Sequence, residues 1–528
     1  MADDIQIAYK DDFLGARDPG TGWPLWRACR VVDWPLILEP GACSMQITFA
    51  ASEATPFAKT GGLADVVGAL PRELVKLGHS VMVFLPFYAR VRRHIEGEPR
   101  YAIRSLTIPF RYYNRFVGVV DAGRRDGVQH YFIDCPELFD RKELYGPSSA
   151  DYTDNAERFG LFCRAVIEAS KQLGVPDVFH VHDWQAALIP VYLRTIYLAD
   201  HDLRSAGTVL TIHNAAYQGA FPPKTTEELL LPWEVFTMDK LEQYDHFNFL
   251  KGGVVFSDKL TTVSKKYAEE IQTPEFGEQL DGILLKRAAD LHGILNGVDY
   301  ALWNPATDGH LAAHFTSEDL EGKRTCRADL LHAFGLESVP ERSPVIGIVS
   351  RFAKQKGFDI LAKIAEEIAE RDVAVVALGT HDPYYENLFR GWAFRHPANI
   401  AVQIRYDEAL AHKIEAGSDM FLMPSRYEPC GLNQIYSLKY GTVPIVRATG
   451  GLDDTIEEWD AKKGTGTGFK FAGVDPKDLL AEIERAIEAF RDKKSWTRLM
   501  RNGMARDYSW SGPAKEYVDV YEEAAHRR

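Results

Sequence analysis

The most informative part of this chain is a predicted strand followed by a glycine loop. The strand is Gln46-Ile47-Thr48-Phe49-Ala50-Ala51, and the loop contains Lys59-Thr60-Gly61-Gly62. Apolar residues then recur at helical spacing, at Leu63, Val66, Val67, Leu70, Leu74 and Leu77. A strand, a glycine loop and a helix in this order present backbone N–H groups to an anion, and Lys59 adds a full positive charge. The loop matches neither the P-loop nor the G-x-G-x-x-G fingerprint, and glycine at such a turn also occurs as plain turn chemistry. We expect a phosphate group to bind here.

The composition limits the possible partners and the cellular location. The 528 residues are enough for two large domains, and 46% hydrophobic and 26% charged residues are typical of a globular protein. A net charge of −14 argues against a broad basic face, so we expect no nucleic-acid partner. Because no apolar run reaches the length of a membrane helix and no signal pattern opens the chain, we expect no membrane partner and a bacterial cytoplasmic location. The six cysteines form no C-x-x-C pair, which is typical of reduced thiols; they are Cys29, Cys43, Cys135, Cys163, Cys326 and Cys430.

Short apolar strands alternate with helical stretches from Met45 onward, which predicts an α/β fold with buried parallel sheets. The first series of predicted strands continues at 81–85, 178–182, 208–212, 260–263 and 293–295, with β-hairpins between 101 and 133. The second series lies at 345–349, 373–378, 400–404, 420–423 and 443–446. We expect domains at 45–299 and 343–490, an irregular inter-domain segment at 300–342 and helices at 491–528. Residues 1–44 are interpreted as a peripheral extension, and whether Met45 is the functional start stays open.

A second cationic stretch follows the first strand of the second series. It reads Ser350-Arg351-Phe352-Ala353-Lys354-Gln355-Lys356-Gly357. Arg351 can hold a phosphate through two parallel hydrogen bonds and Lys356 supplies a point charge, although a solvated basic loop would look the same. Because ligands of open α/β sheets bind beyond the carboxyl ends of the strands, we expect this loop to face the Lys59 loop across a cleft.

Two further strand ends of the second series carry glycines before a helix. One reads Pro424-Ser425-Arg426-Tyr427-Glu428-Pro429-Cys430-Gly431-Leu432-Asn433-Gln434, where Glu428 is either a ligand of sugar hydroxyls or an acid placed for the helix dipole. The other reads Thr449-Gly450-Gly451-Leu452-Asp453-Asp454-Thr455. A glycine turn between a strand and a helix is a typical site for an anionic or hydroxyl-rich ligand, so we expect both turns to face one.

Histidines end two strands of the first series, in His180-Val181-His182-Asp183-Trp184-Gln185 and in Thr211-Ile212-His213-Asn214-Ala215-Ala216-Tyr217-Gln218-Gly219. The His-x-His-Asp spacing puts two rings on one face of a strand, but no third ligand lies nearby in the sequence. We therefore expect no metal, and packed, hydrogen-bonded histidines remain the simplest alternative to functional ones.

Together with Asn296-Gly297-Val298-Asp299, these motifs resemble those of the bacterial glycogen synthase and plant starch synthase family, in the same order and over roughly residues 45–510. The resemblance implies a GT-B architecture: two Rossmann-like, doubly wound domains facing across a deep cleft, with the C-terminal helix returning to the first domain. It also implies transfer of glucose from ADP-glucose to the 4-hydroxyl end of an α-1,4-glucan, with retention of configuration and no cofactor.

The resemblance assigns roles to matching positions. Lys59, Gly61, Gly62 and Asp65 belong to the donor loop, and Arg351 and Lys356 hold the leaving diphosphate. Glu428, Cys430 and Gly431 surround the glucosyl unit, and His213 lies beside the reacting carbon. The implied donor site is completed by Tyr406, Ser425, Leu432 and Thr455. The implied sugar and acceptor side comprises Tyr145, Asp183, Trp184, Asn214 and Asn296.

One position differs from the pattern of related retaining transferases and favours the glycogen and starch synthase branch, while three alternative functions stay open. Related retaining transferases have a second glutamate eight residues after Glu428, and that position is Tyr436 here, as the resemblance to glycogen and starch synthases implies. The alternatives are a UDP-glucose-dependent or sucrose-synthase-like transferase, a non-catalytic glucan-binding homologue, and an NAD oxidoreductase, which lacks its dinucleotide fingerprint here.

Overall fold

The computed structural model describes residues 44–95, 97–147 and 150–526, so the predicted extension at 1–44 lies outside the described residues except for Ser44. The part from Ser44 onward forms one compact unit. Among the described helices, none is long and apolar enough to cross a membrane.

The first half of the chain builds a nine-stranded sheet in the order β12-β11-β7-β6-β1-β2-β5-β4-β3. It is parallel from β12 to β5, and β4 pairs antiparallel with both β5 and β3. The strands β8, β9 and β10 form a separate small sheet. The bounds are β1 (Gln46–Ala50), β2 (Ser80–Pro86), β3 (Tyr101–Pro109), β4 (Asn114–Arg125), β5 (Val128–Asp134), β6 (Val178–His182), β7 (Gly207–Ile212), β8 (Ala220–Phe221), β9 (Glu242–Gln243), β10 (His246–Asn248), β11 (Lys259–Thr262) and β12 (Leu291–Gly293).

Helices cover this sheet and bury its apolar strands. In the first of them, the residues at i, i+3, i+4 and i+7 spacing are the buried ones, as the sequence pattern predicts. The helices are α1 (Gly62–Lys76), α2 (Ala89–Arg92), α3 (Pro136–Phe139), α4 (Asn155–Leu173), α5 (Asp183–Ala186), α6 (Leu188–Leu193), α7 (Thr225–Glu228), α8 (Phe249–Phe256), α9 (Lys265–Glu270) and α10 (Asp281–Lys286), with single 3₁₀ turns at Trp233–Val235 and Ala288–Asp290.

The second half builds an all-parallel, six-stranded sheet in the order β15-β14-β13-β16-β17-β18. Its strands are β13 (Val345–Val349), β14 (Ala374–Gly379), β15 (Ile400–Ile404), β16 (Met420–Met423), β17 (Val443–Arg447) and β18 (Phe469–Phe471). Its helices are α11 (Glu321–Phe334), α12 (Phe358–Leu361), α13 (Ala365–Ala369), α14 (Pro383–Arg395), α15 (Glu408–Gly417), α16 (Asn433–Lys439), α17 (Gly450–Thr455), α18 (Pro476–Arg491) and α19 (Lys493–Met504). A 3₁₀ turn at Lys354–Lys356 lies between β13 and α12, and α20 (Ser511–His526) follows α19. Aspartate side chains cap the starts of four of these helices, at Asp382, Asp407, Asp475 and Asp492.

The segment 300–342 was expected to be irregular, and that expectation is wrong for its second half, where α11 lies. The helix reads as polar because one of its few buried residues is a lysine. The ammonium group of Lys323 lies inside the domain and donates to Ala416 O at 2.8 Å, Tyr440 O at 3.0 Å and Thr442 Oγ1 at 2.8 Å. An internal lysine with satisfied hydrogen bonds acts as a core residue, which an apolar pattern does not reveal.

The last two helices pack on different sheets, α19 on the second and α20 on the first. In α19, Trp496 and Leu499 belong to the core of the second domain, so the second domain extends beyond the expected boundary at residue 490. Only α20 lies against the first sheet, where Tyr517 and Tyr521 are buried in the first core. The chain crosses between the domains at two adjacent places, since Val298 N–H donates to Tyr508 O at 2.8 Å.

Candidate active site

The loops after β13 and β16 are bound to each other. Arg426 N–H donates to Gln355 O at 2.8 Å. Gly357 has a φ of 74°, and a side-chain Cβ there would lie 1.8 Å from Pro424 O. Only glycine fits this position, so the tight turn after Lys356 is a packing requirement that seats one loop on the other.

Glu428, which is buried, and Lys356, which is partly buried, form an ion pair at this junction. Lys356 Nζ lies 2.9 Å from Glu428 Oε1 and 2.6 Å from Oε2, and Ser425 Oγ–H donates to Oε2 at 2.9 Å. The carboxylate is 6% exposed. Burying a carboxylate is tolerated because charge-assisted hydrogen bonds replace its water. The ion pair and the Ser425 hydrogen bond therefore hold the Glu428 carboxylate and the Lys356 ammonium against each other.

The glycines after β17, Gly450 and Gly451, pack closely against the backbone of the Glu428 loop. A Cβ at Gly450 would lie 2.0 Å from Glu428 O, and a Cβ at Gly451 would lie 2.0 Å from Cys430 O. Gly450 N–H donates to the Glu270 carboxylate. The Thr449-Gly450-Gly451 turn therefore holds protein groups, and its close packing explains its glycines without a ligand.

Arg351 is exposed at the end of β13, on the same loop as Lys356. Among the residues that the structure describes, none forms a salt bridge or side-chain hydrogen bond with its guanidinium. A cation held on a rigid loop without a carboxylate partner is available to bind an anionic ligand.

The Lys59 loop is organised by a residue that the sequence analysis did not identify, Glu53. Its carboxylate accepts hydrogen bonds from Thr60 N–H and from Thr60 Oγ1–H at 2.6 Å, and Gly61 N–H approaches at 3.3 Å. Tyr145 O–H also donates to it at 2.5 Å. Part of the N–H groups expected to face a phosphate are thus bound to an internal carboxylate. The short separation between Glu53 and the loop was the only signal in the sequence.

Open space remains beside the two glycines of this loop. Neither Gly61 nor Gly62 would bring a Cβ within 4 Å of another atom, and neither has a positive φ. Lys59 Nζ lies 2.7 Å from Asp65 Oδ1, and the side chain of Lys59 is 45% exposed. Packing and backbone conformation do not require glycine here, which is the pattern expected where a ligand approaches the backbone closely.

His213 and Asp183 are joined at the ends of β7 and β6. Asp183 Oδ1 accepts the backbone N–H of His213 at 2.7 Å, and Asp183 has a left-handed backbone with a φ of 52°. Burial raises the pKa of Asp183 to about 7, against the lowering effect of the His213 and Asn214 N–H groups. Burial lowers the pKa of His213 to about 3, so its imidazole is neutral. A strained aspartate beside a desolvated histidine is typical of a functional site.

Asn296 and Cys430 meet where the two domains touch. Asn296 is buried, and its Oδ1 has no hydrogen-bond partner in the described part of the chain. Burial raises the pKa of the Cys430 thiol, which Asn296 faces, to about 12, so the thiol is protonated. An unpartnered buried amide oxygen at such a junction is suited to bind a ligand hydroxyl.

Three other predicted site residues, Trp184, Thr455 and Asn214, make contacts within the protein. Trp184 is buried, with Gly219 against its ring and Phe159, Phe221 and Phe249 around it, so it packs as a core residue. Thr455 is also buried, and its hydroxyl donates to Gly451 O at 2.6 Å. Asn214 Oδ1 accepts from Ala216 N–H at 3.0 Å.

The outer residues of the predicted donor site come from the second domain. Tyr406 is 77% exposed, and the charges of Lys59 and Asp65 in the first domain act on its hydroxyl. Leu432 packs against the first core, next to Cys430. These contacts bring the outer part of the predicted site to the boundary between the domains.

Three groups of α9 and its N-cap in the first domain bind the loops of the second. Ser264 Oγ–H donates to Pro429 O at 2.5 Å, and Lys266 N–H donates to Asp454 Oδ2 at 2.8 Å. Glu270 accepts from Thr449 Oγ1–H at 2.9 Å. These contacts join the first domain directly to the loops that carry Glu428 and Thr449. Across the described ranges, no group of three or more His, Cys, Asp or Glu side chains could hold a metal ion.

Comparisons with known proteins identify relatives over most of the chain. Residues 46–286 match the family model described as starch synthase catalytic domain, and residues 336–503 match glycosyl transferases group 1. The glycogen synthase of Koribacter versatilis (strain Ellin345) is 57% identical over 484 residues, which is 92% of this chain and 99% of that protein. The glycogen synthase of Anaeromyxobacter dehalogenans (strain 2CP-C) is 48% identical over 91% of this chain and 100% of its own length.

Solved structures agree with these relatives. The catalytic domain of Starch Synthase IV from Arabidopsis thaliana, bound to ADP and acarbose, superimposes with a TM-score of 0.82 and 33% identity. The match covers 92% of this chain and 100% of that one. Sucrose-phosphate synthase from Thermosynechococcus elongatus superimposes with a TM-score of 0.56 and 16% identity over 91% of this chain and 98% of that one, which shows the shared fold alone.

Proposed function

The chain belongs to the glycogen and starch synthase family of glucosyltransferases, and from this premise we propose its donor, acceptor and site. The donor is ADP-glucose and the acceptor is the non-reducing 4-hydroxyl end of an α-1,4-glucan. The products are ADP and a glucan one residue longer, with retained anomeric configuration. The ADP and acarbose bound to the Arabidopsis relative support an adenine nucleotide and a glucan-like chain as ligands.

The observation that carries this proposal is the set of charges after β13 and β16. Glu428 is buried and bound by Lys356 at 2.6 Å, while Arg351 on the same loop has no carboxylate partner in the described chain. A diphosphate placed between Arg351 and Lys356 puts the attached glucose next to Glu428. The carboxylate then accepts hydrogen bonds from the sugar hydroxyls, and Ser425 keeps it oriented.

The rate enhancement follows from the charge that develops on the leaving group. Breaking the bond between glucose and phosphate leaves an oxocarbenium-like sugar and a diphosphate that gains negative charge. Arg351, Lys356 and backbone N–H groups neutralise it in a preorganised site, each contributing about 3 kcal/mol. Three such contributions give about 9 kcal/mol, which corresponds to a rate factor of about a million.

Retention is assigned to attack from the face that the leaving group vacates. The Cys430 thiol is protonated, with a pKa of about 12, and the His213 imidazole is neutral, with a pKa of about 3. Neither group is an activated nucleophile. We therefore assign the attack to the acceptor hydroxyl itself, with the leaving phosphate accepting its proton.

The charge of the diphosphate is met by side chains, so the proposed reaction requires no cofactor and no metal. Activity that disappears with EDTA and returns with Mg²⁺ or Mn²⁺ would contradict the metal-independent mechanism.

We place this enzyme in the bacterial cytoplasm. The four described cysteines are free, which is typical of proteins in that compartment.

The proposal is tested with purified protein and a glycogen primer, supplied with ADP-glucose or UDP-glucose in parallel. We expect ADP release and primer elongation with ADP-glucose, and a much lower kcat/KM with UDP-glucose. Preference for UDP-glucose, or transfer to fructose in place of glucan, would favour the sucrose-synthase-like alternative. Glucan binding without nucleotide release would favour a non-catalytic homologue.

A further inference from the structure

We propose that His182, supported by His180 and Tyr521, is a positioning residue that fixes the ring orientation and tautomer of His213. The inference rests on the proposed function in one respect only, because it takes His213 as the histidine beside the reacting carbon. The contacts that carry it lie behind the site, in the sheet and in the last helix.

His182 and His213 share a hydrogen bond between their rings. His182 Nδ1 and His213 Nε2 are 3.0 Å apart. Burial lowers the pKa of both imidazoles, so each ring carries a single proton and the pair places one proton between them. One ring therefore donates and the other accepts, which makes the tautomer of His213 depend on that of His182.

Within the described ranges, the His182 ring has no hydrogen-bond partner besides His213. It is fully buried, and in the described chain its Nε2 remains unpaired. Its ring packs against Phe49, at a centroid distance of 5.4 Å, and against His180, at 4.1 Å, and these two rings also contact each other at 4.6 Å. Because the His182 ring is held by this cluster and directed by one hydrogen bond, we expect a change in Phe49 or His180 to alter how it meets His213.

His180 is in turn fixed at both ring nitrogens. Tyr521 O–H lies 2.8 Å from His180 Nδ1, and Thr211 Oγ1 lies 2.6 Å from Nε2. Tyr521 belongs to α20, which reaches the first sheet from the end of the chain. The C-terminal helix thus contributes a hydrogen bond to the layer of side chains directly behind the candidate catalytic histidine.

The simpler interpretation is that His180 and His182 are ordinary core histidines. That interpretation predicts a loss of stability on substitution, with no specific change at His213. Our inference predicts a change in kcat and in the protonation pattern of the His213 ring, both of which are measurable in variants that remain folded.

The first experiment compares His182→Leu with His182→Asn. Leucine removes the hydrogen bond, whereas the asparagine amide reaches a similar position and can still donate to His213 Nε2. We expect kcat to fall by about tenfold to a hundredfold in H182L, with the donor KM within about twofold of wild type, and to be largely retained in H182N. Equal kcat in wild type and H182L would overturn the proposal.

The second experiment measures the tautomer without any substrate. In protein labelled with ¹⁵N-histidine, the His213 signals are assigned by their loss in His213→Gln. We expect one defined tautomer in wild type and in H182N, and an averaged pair of tautomers in H182L. An averaged state already in wild type would contradict the proposal. This measurement stands even if the protein fails to use ADP-glucose, so it separates the inference from the proposed function.

The third experiment removes the support given by α20. Tyr521→Phe deletes the hydroxyl that bonds His180, and Tyr192→Phe is its matched control, because Tyr192 is equally buried and its hydroxyl has no described partner. We expect a severalfold lower kcat in Y521F and an unchanged kcat in Y192F, at comparable thermal stability. Similar kcat values in the two variants would show that His180 and the last helix are not part of the positioning layer.

Discussion

Two single side chains on the loop after β13, Arg351 and Lys356, are the groups that we propose neutralise the leaving diphosphate. Arg351→Ala and Lys356→Ala are each expected to lower kcat about a hundredfold, because the negative charge that they meet grows in the transition state. Lys354→Ala is the matched control, since Lys354 is an exposed cation of the same loop that lies outside the proposed contacts. Steady-state kinetics with ADP-glucose test this, and wild-type kcat in either R351A or K356A would place the diphosphate elsewhere.

Asp183 gives the site a pH-dependent contribution to stability. Burial raises its pKa from 3.8 to about 7 in the folded protein. The folded state therefore binds this proton more tightly than the unfolded state, so its stability falls as the pH rises from about 4 to about 7 and is constant above that. Asp183→Asn, which keeps an acceptor for the His213 N–H, removes the dependence.

The measurement is urea unfolding of wild type and D183N at several pH values between 4.5 and 8. We expect the free energy of unfolding of wild type to decrease relative to that of D183N as the pH rises through this range. Parallel pH profiles for the two proteins would show that the Asp183 carboxyl titrates at its ordinary value.

At the scale of elements, the glycines of the site separate into two classes. Gly62→Ala should leave thermal stability unchanged, because a Cβ at the start of α1 meets no atom within 4 Å, and should raise the donor KM about tenfold by obstructing the close approach of the ligand. Gly357→Ala is the contrasting variant. Its backbone φ of 74° and the 1.8 Å approach to Pro424 O predict a clear loss of stability.

Differential scanning fluorimetry and donor kinetics on the same two variants provide the test. A destabilised G62A protein would indicate that the loop is glycine-rich for folding. An unchanged donor KM in a stable G62A protein would remove the Lys59 loop from the donor site.

The elements that sequence patterns predicted are those with continuous apolar strands. The GT-B fold is confirmed, and the predicted strands at 178–182, 345–349, 400–404 and 420–423 coincide with β6, β13, β15 and β16. Strands of two or three residues, such as β8 and β18, were not predicted because they are too short to show a period. The helix α11 was not predicted because its buried lysine hides the apolar face.

Among the candidate site residues, too, those in local motifs were predicted and those without a local pattern were not. Motif residues on strand ends, such as Lys356 and Glu428, were identified from the sequence and lie 2.6 Å apart in the structure. Glu53 was not identified, although Thr60 is only seven residues away, because a single acid before a glycine loop forms no recognisable motif. Tyr521 was not identified because its partner is set by a tertiary contact, with His180 341 residues away. A hydrogen bond at that separation leaves no trace in local composition or spacing.

At the scale of the whole molecule, the proposed donor must contact both domains. Lys59 and Gly62 belong to the first domain, and Arg351, Lys356 and Glu428 belong to the second. A polymeric acceptor has to enter between them, so the cleft must open and close during turnover. The chain crosses between the domains where Val298 pairs with Tyr508, and this pair of adjacent segments is the expected hinge.

Closure makes a prediction that is independent of the chemistry. Only a closed cleft supplies both halves of the donor site, so ADP with a maltooligosaccharide should shift the population toward the closed state and reduce the radius of gyration in small-angle X-ray scattering. The variant Arg351→Ala should need a higher ADP concentration for the same change, because it removes one contact that favours the closed state. Lys354→Ala is again the control and should respond like wild type. A scattering profile that does not change at saturating ligand would refute closure and would mean that a single, fixed cleft admits the glucan, holds the donor and excludes water at once.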